Sequence, residues 1–232
     1  MKITQAVILA AGRGTRMREL TAELPKPMMK VRGKPILQHI IEGLRNAGVS
    51  RFLVVIGYRA DVVRDFFGDS VEYVTQQVQD GTGRVVDLAR DFVGESPFVL
   101  AYGDILVDAQ NYGAIVDLAD GVEAIVSVTR GEDLSKGGAV VVNEQMDVVD
   151  LREKLPAGEV STAWYNAGLY AFRPGIFDFT AKLEPSSRGE YELTDAIRAL
   201  AQSGKRVKAL ELSGTWADVR DPETLARLNR AQ

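Results

Sequence analysis

The apolar positions of this chain fall into short unbroken runs separated by stretches of helical spacing. Residues 4–10 form such a run around Gln5, and 51–56, 71–75, 97–101 and 122–129 repeat it. Short runs rich in Val, Ile and Leu and bounded by turn residues predict buried strands. Between 35 and 47, Ile36, Leu37, Ile40, Ile41, Leu44 and Ala47 recur at three- and four-residue steps, from Pro35 to a stop at Gly48. That spacing predicts a helix, and 60–67, 82–93 and 111–119 predict three more. Strands alternating with helices predict an α/β fold, a mostly parallel sheet with helices on both faces. After about residue 135 the runs 138–143, 146–151 and 165–172 follow with few helices between them, which predicts a small antiparallel part. Helices return at 174–181, 191–202 and 221–231. No Pro/Ser-rich linker interrupts the chain, so residues 1–232 are expected to form a single domain whose halves divide near residue 130.

Composition narrows the classes of function. The 232 residues are 46% hydrophobic and 26% charged, with a net charge of −4 and both signs interspersed. No basic stripe is present for nucleic acid, so anion binding would rest on a few placed groups. Cysteine is absent, which excludes disulfides, thiolate zinc sites and cysteine nucleophiles. No leader-like segment and no run of ~18 apolar residues is found. The expectation is a cytoplasmic protein without a membrane partner; self-association stays open.

The first run empties into Leu9-Ala10-Ala11-Gly12-Arg13-Gly14-Thr15-Arg16, and Pro25-Lys26-Pro27 follows ten residues later. A strand ending in a turn with two glycines offers backbone N–H groups at close range, which suits phosphate. Arg16 and Lys26 add positive charge beside it. A Rossmann fingerprint would need a third glycine where Met17 stands, and no P-loop string occurs. What remains fits a nucleotide held through its triphosphate. His39, the one histidine, lies within a helical pattern away from these residues and reads as structural.

This opening motif resembles the signature of the sugar-1-phosphate nucleotidylyltransferases, which include glucose-1-phosphate thymidylyl- and uridylyltransferases and the N-acetylglucosamine-1-phosphate uridylyltransferase domain. Later motifs appear in the same order along nearly the whole chain. The resemblance implies a nucleotide-diphospho-sugar transferase-like fold: a Rossmann-like, three-layer, mostly parallel sheet with a small antiparallel sugar-binding part. It places the nucleotide in residues 1–130 and the acceptor in 131–232. Arg16 and Lys26 would be catalytic, and Leu9, Ala10, Ala11, Gly12, Gly14 and Thr15 would cradle phosphate. Gln76, Gly81, Thr82 and Tyr102 would complete the nucleotide site, with Gln77 or Gln79 sharing recognition of a uracil or thymine edge, which a glutamine amide can pair. Read alone, Thr82 could simply cap a helix and Gly81 could be a turn. Asp104, after Tyr102-Gly103, and Asp218, in Trp216-Ala217-Asp218-Val219, would share Mg²⁺, a cation suited to carboxylate and phosphate oxygens. Gly138, Glu153, Lys154 and Asn166 would meet the acceptor, while Gly189 to Asp195 reads mainly as structure.

Three positions depart from the family pattern. Arg220 replaces a glycine after the second acid, Glu19 replaces a proline, and Gly137 replaces an aromatic residue.

The implied reaction joins an NTP, UTP or dTTP foremost, to a sugar-1-phosphate, giving an NDP-sugar and pyrophosphate. A phosphate monoester has its second pKa near ~6, so the acceptor can attack without a general base. Alternatives are a cytidylyltransferase acting on phosphocholine or inositol phosphate, and a non-catalytic nucleotide sensor; Glu153 and Asn166 favour a sugar. A nicotinamide dehydrogenase would want an acid where Lys26 stands. No hexapeptide-repeat extension follows, so a coupled acetyltransferase activity is not expected.

Overall fold

The computed structural model describes residues 1–154 and 162–230. In chain order its elements are β1 (Gln5–Leu9), β2 (Lys30–Val31), β3 (Lys34–Pro35), α1 (Ile36–Asn46), β4 (Arg51–Ile56), α2 (Ala60–Phe67) and β5 (Glu72–Thr75). Next come α3 (Thr82–Asp87), α4 (Arg90–Val93), β6 (Phe98–Tyr102), β7 (Ile105–Val107), α5 (Ala109–Ile115) and β8 (Ala124–Thr129). The second half holds β9 (Gly138–Val142), β10 (Val148–Glu153), β11 (Trp164–Phe172), α6 (Phe177–Thr180), α7 (Leu193–Gln202), β12 (Val207–Glu211), β13 (Trp216–Asp218) and α8 (Pro222–Arg230).

The main sheet runs β10-β9-β11-β6-β1-β4-β5, and β8 pairs with both β11 and β12. β1 lies parallel to β4 and β6, and β5 parallel to β4. β11 turns the sheet antiparallel against β6, and β9 and β10 continue in that sense. The expected mixed α/β sheet is therefore present.

Why β1 reads as continuous apolar sequence is now plain. Ala6 and Ile8 join a buried cluster on one face, with α1, while Val7 joins a second cluster on the other, with α3 and α7. β4 divides the same way: Phe52, Val54 and Ile56 face one cluster, Leu53 and Val55 the other. A strand covered on both faces needs no polar alternation.

Several boundaries differ from the sequence expectation. The helix expected over 82–93 is two pieces, because Leu88 and Ala89 close i→i−3 bonds to Val85 and Val86. The strand expected at 146–151 starts at Val148 and runs to Glu153. Asn143 holds the preceding turn, its Oδ1 accepting from the amides of Gln145 and Asp147. Of 174–181, the first turn is a 3-10 helix (Pro174–Ile176) and the rest is α6. The helix expected at 111–119 is α5, shifted towards the N-terminus. β2, β3, β7, β12 and β13 are additional.

Candidate active site

Two adjoining cavities open at the carboxyl ends of β1 and β6, where open α/β sheets bind ligands. The larger, of about 390 Å³, is lined by Leu9, Ala10, Ala11, Gly12, Gly14, Lys26, Gln76, Gln79, Gly81, Thr82, Tyr102 and Asp104, among others. The smaller, of about 200 Å³, is lined by Gly138, Glu153, Lys154, Asn166 and Asp218 together with Tyr165, Arg188 and Trp216. Thr82, Tyr102 and Glu190 line both, so the cavities share a wall.

The glycine turn is built as a cradle. Among the described residues the amides of Ala11, Gly12, Arg13 and Gly14 make no hydrogen bond. Gly14 is left-handed at φ 62°, and a Cβ there would press on Lys26 Cβ at 2.9 Å. At Gly12 a Cβ would meet nothing within 4 Å, so it would only fill cavity space. Thr15 and Arg16 lie outside the lining, exposed at the start of a 3-10 helix (Thr15–Thr21).

Gly81, at φ 120°, is packed so closely that a Cβ would overlap the Tyr191 backbone. Tyr191 stitches the loop in place: its N–H donates to the Asp80 carbonyl at 2.8 Å and its carbonyl accepts from Gly83 N–H at 2.7 Å. Of the three glutamines, Gln76 and Gln79 line the cavity and Gln77 does not. Gln79 Nε2 donates to the Ala11 carbonyl at 2.9 Å, tying this loop to the glycine turn. Thr82 caps no helix of its own; its hydroxyl accepts from the Leu193 amide at 3.2 Å, at the start of α7.

Asp104 and Asp218, 114 positions apart in sequence, meet at Lys26. Lys26 Nζ lies 2.5 Å from Asp104 Oδ2 and 3.5 Å from Asp218 Oδ1. Asp218 reaches this point because β13 pairs antiparallel with β7, setting Asp218 opposite Ile105. Burial and the nearby Asp104 charge raise the Asp218 pKa, opposed by Lys26 and Arg220. Asp218 Oδ1 is buried with no hydrogen-bond partner. Arg220, in place of a glycine, puts Nε 3.4 Å from Asp218 Oδ2 and Nη2 3.1 Å from Glu132 Oε2.

In the smaller cavity, burial and the charge of Glu192 push the Glu153 carboxyl up to about 6. Asn166 Nδ2 donates to the Tyr170 hydroxyl at 2.7 Å. Lys154 is exposed, held by its N–H donating to the Gly137 carbonyl at 2.8 Å. Gly138 admits Asn166 and Glu153: a Cβ would lie 2.9 Å from Asn166 Cβ and 3.2 Å from Glu153 Oε2.

The sequence reading missed Tyr165, Arg188 and Trp216 as lining residues and took Glu190 as structural. Arg188 immediately precedes the Gly189–Asp195 segment and Trp216 stands two before Asp218, so adjacency to those motifs was the available signal. His39 Nε2 donates to the Val31 carbonyl at 2.8 Å and lines neither cavity, consistent with a structural role.

A turn of free amides at the end of a parallel strand, joined to a second pocket by two acids and a lysine, gives an α/β protein with two adjoining cavities, the first suited to an anion. Comparison with known proteins names the group. The family described as Nucleotidyl transferase matches residues 5–232, and the chain belongs to it. A bifunctional protein GlmU of Methanococcus maripaludis strain S2 is 34% identical over 94% of this chain and 51% of its own length. The UTP–glucose-1-phosphate uridylyltransferase AglF of Haloferax volcanii is 35% identical, over 94% of this chain and 92% of AglF. The chain thus spans about half the length of the GlmU relatives it matches. A solved UDP-glucose pyrophosphorylase complexed with UDP-glucose shares the fold, with a TM-score of 0.89 at 23% identity over 99% of this chain and 98% of that one.

Proposed function

We propose that the chain is a Mg²⁺-dependent sugar-1-phosphate nucleotidylyltransferase, joining an NTP, UTP or dTTP foremost, to a sugar-1-phosphate with release of pyrophosphate. The observation that carries this reading is the meeting of Asp104, Asp218 and Lys26 where the two cavities adjoin. The similarity to AglF, a UTP–glucose-1-phosphate uridylyltransferase, at 35% identity favours uridylyl transfer to a hexose phosphate.

The residues present fit a hard cation. Asp104 and Asp218 supply oxygen donors, and the buried Asp218 Oδ1 has no hydrogen bond, only the ion pair to Lys26 Nζ at 3.5 Å. No group of three or more His, Cys, Asp or Glu is found among the described residues. Two carboxylates completed by phosphate oxygens and water suit Mg²⁺. When bound, Mg²⁺ would neutralise charge on the reacting phosphates.

The chain's own groups do the rest. The amides of residues 11–14 donate hydrogen bonds to the triphosphate oxygens, and Gln76 with the Gly81 loop takes the base. Lys26 holds charge at the α-phosphate. Arg16, at the mouth of the turn, offsets charge on the departing pyrophosphate. Thr82 and Tyr102 wall the nucleotide off from the acceptor. Lys154 steers the acceptor phosphate, while Glu153, Asn166 and the Gly138 backbone orient the sugar. The acceptor oxygen is already anionic, so positioning and charge neutralisation suffice.

The test is pyrophosphate release with each NTP, a panel of sugar phosphates, phosphocholine and inositol phosphate, with and without Mg²⁺. Turnover confined to a sugar phosphate with Mg²⁺ is expected. Nucleotide binding without turnover on any acceptor would overturn the reading.

A further inference from the structure

The extended backbone at Gly137 (φ −164°) makes no demand for glycine. Space does. A Cβ at 137 would overlap the hydroxyl and Cζ of Tyr165, so the phenol lies here only because residue 137 carries no side chain. Tyr165 arrives from β11, one position before Asn166. Trp216 braces its ring edge-on, at 5.7 Å between centroids and 65° between planes. The indole is fixed in turn, Nε1 donating to the Ala167 carbonyl at 2.9 Å.

Tyr165 is only 5% exposed, yet among the described residues its hydroxyl has no hydrogen-bond partner. The hydroxyl oxygen itself is not sealed off in the core, so it is open to a partner from outside the chain. The residue lines the smaller cavity with Glu153, Lys154 and Asn166, so a bound molecule is the natural partner. Burial pushes the phenol up to about 12, so at neutral pH it keeps its proton and can donate.

We propose that Tyr165 is a specificity-determining contact of the acceptor site, its hydroxyl donating a hydrogen bond to a hydroxyl oxygen of the sugar phosphate. This rests on the nucleotidylyltransferase reading and extends it to substrate class: the acceptor carries an oxygen facing Tyr165, and its deoxy analogue at that position is a poor substrate. A site built to bond a hydroxyl discriminates against a ligand lacking it, because its own polar group is then left unpaired. Gly137 and Tyr165 act as one device, the first making room for the second.

Tyr165→Phe keeps the ring and its contact with Trp216, and removes only the donor. The expected result is an acceptor KM raised ~3–10-fold, the size of one net hydrogen bond, with the KM for NTP unmoved. Against a panel of monodeoxy sugar 1-phosphates, the Phe variant should lose discrimination at one position and keep it elsewhere. Gly137→Ala should lower acceptor kcat/KM while Tyr165 is present and cost nothing in the Tyr165→Val background. Equal shifts in both KM values, undiminished discrimination at every deoxy position, or an equal Gly137→Ala cost in both backgrounds would overturn the proposal. Wild-type protein that turns over no acceptor at all would instead overturn the reading beneath it.

Discussion

Replacing Glu153 by Gln should make the protein more stable and the enzyme worse. Burial and Glu192 raise this carboxyl from its ordinary 4.5 to about 6, against the opposing charges of Lys154 and Arg188. A rise of that size corresponds to about 2 kcal/mol of disfavoured ionisation. The sign follows from proton binding. Below about pH 4.5 the carboxyl is protonated in both folded and unfolded chains, and it costs nothing. As pH rises through about 6 the unfolded chain has already released its proton, so stability falls, and by about pH 8 the full penalty is present. Glutamine carries no charge and removes that slope. Urea unfolding should therefore show Glu153→Gln gaining about 1–2 kcal/mol at about pH 8 and nearly nothing at about pH 4.5. The same substitution removes the acceptor of sugar hydroxyl bonds, so the KM for the sugar phosphate should rise ~10-fold or more. For the wild type, that KM should also climb as pH drops below about 6. A stability gain independent of pH, or none, would refute the claim that Glu153 is held ionised at a cost for the sake of binding.

Other substitutions separate the parts of the site. Lys26→Met or Arg16→Ala should each lower turnover ~10²–10³-fold with the fold intact, the loss typical of one charge-stabilising contact; circular dichroism beside a pyrophosphate-release assay reads both. Gly81→Ala should weaken NTP binding with little effect on the acceptor KM, because its Cβ would push the loop off the Tyr191 backbone; calorimetric titration of NTP checks it. Thr82→Ala should cost ~1 kcal/mol of stability through the lost bond to the Leu193 amide, seen as a lower urea midpoint.

The parallel half was legible because its helices and strands carry strong periodic patterns: the spacing of 35–47 and the runs at 51–56 and 60–67 survive with shifts of a residue or none. β13 was not legible as a strand, since three residues gain strand geometry only by pairing with β7. β12 escaped because its alternation, with Val207 and Ala209 buried about Lys208, is only a few residues long and is held in place by parallel pairing with β8. At the site, the glycine turn and both aspartates could be singled out from local motifs. Their meeting at one lysine could not, since it depends on the fold closing 114 residues of chain. Tyr165 was hidden for a related reason: its place is set by the missing side chain at Gly137, in the turn that leads into β9. Single sequences show motifs well and cross-strand compensation badly.

The central claim is that Asp104 and Asp218 serve one reaction centre as a unit. The direct test is kcat for Asp104→Asn, Asp218→Asn and the double variant, each with saturating Mg²⁺, NTP and sugar phosphate. Acting as a unit, either single change should lose nearly as much as the pair together. Losses that multiply in the double variant, or an Asp218→Asn enzyme that keeps near-normal turnover, would contradict it.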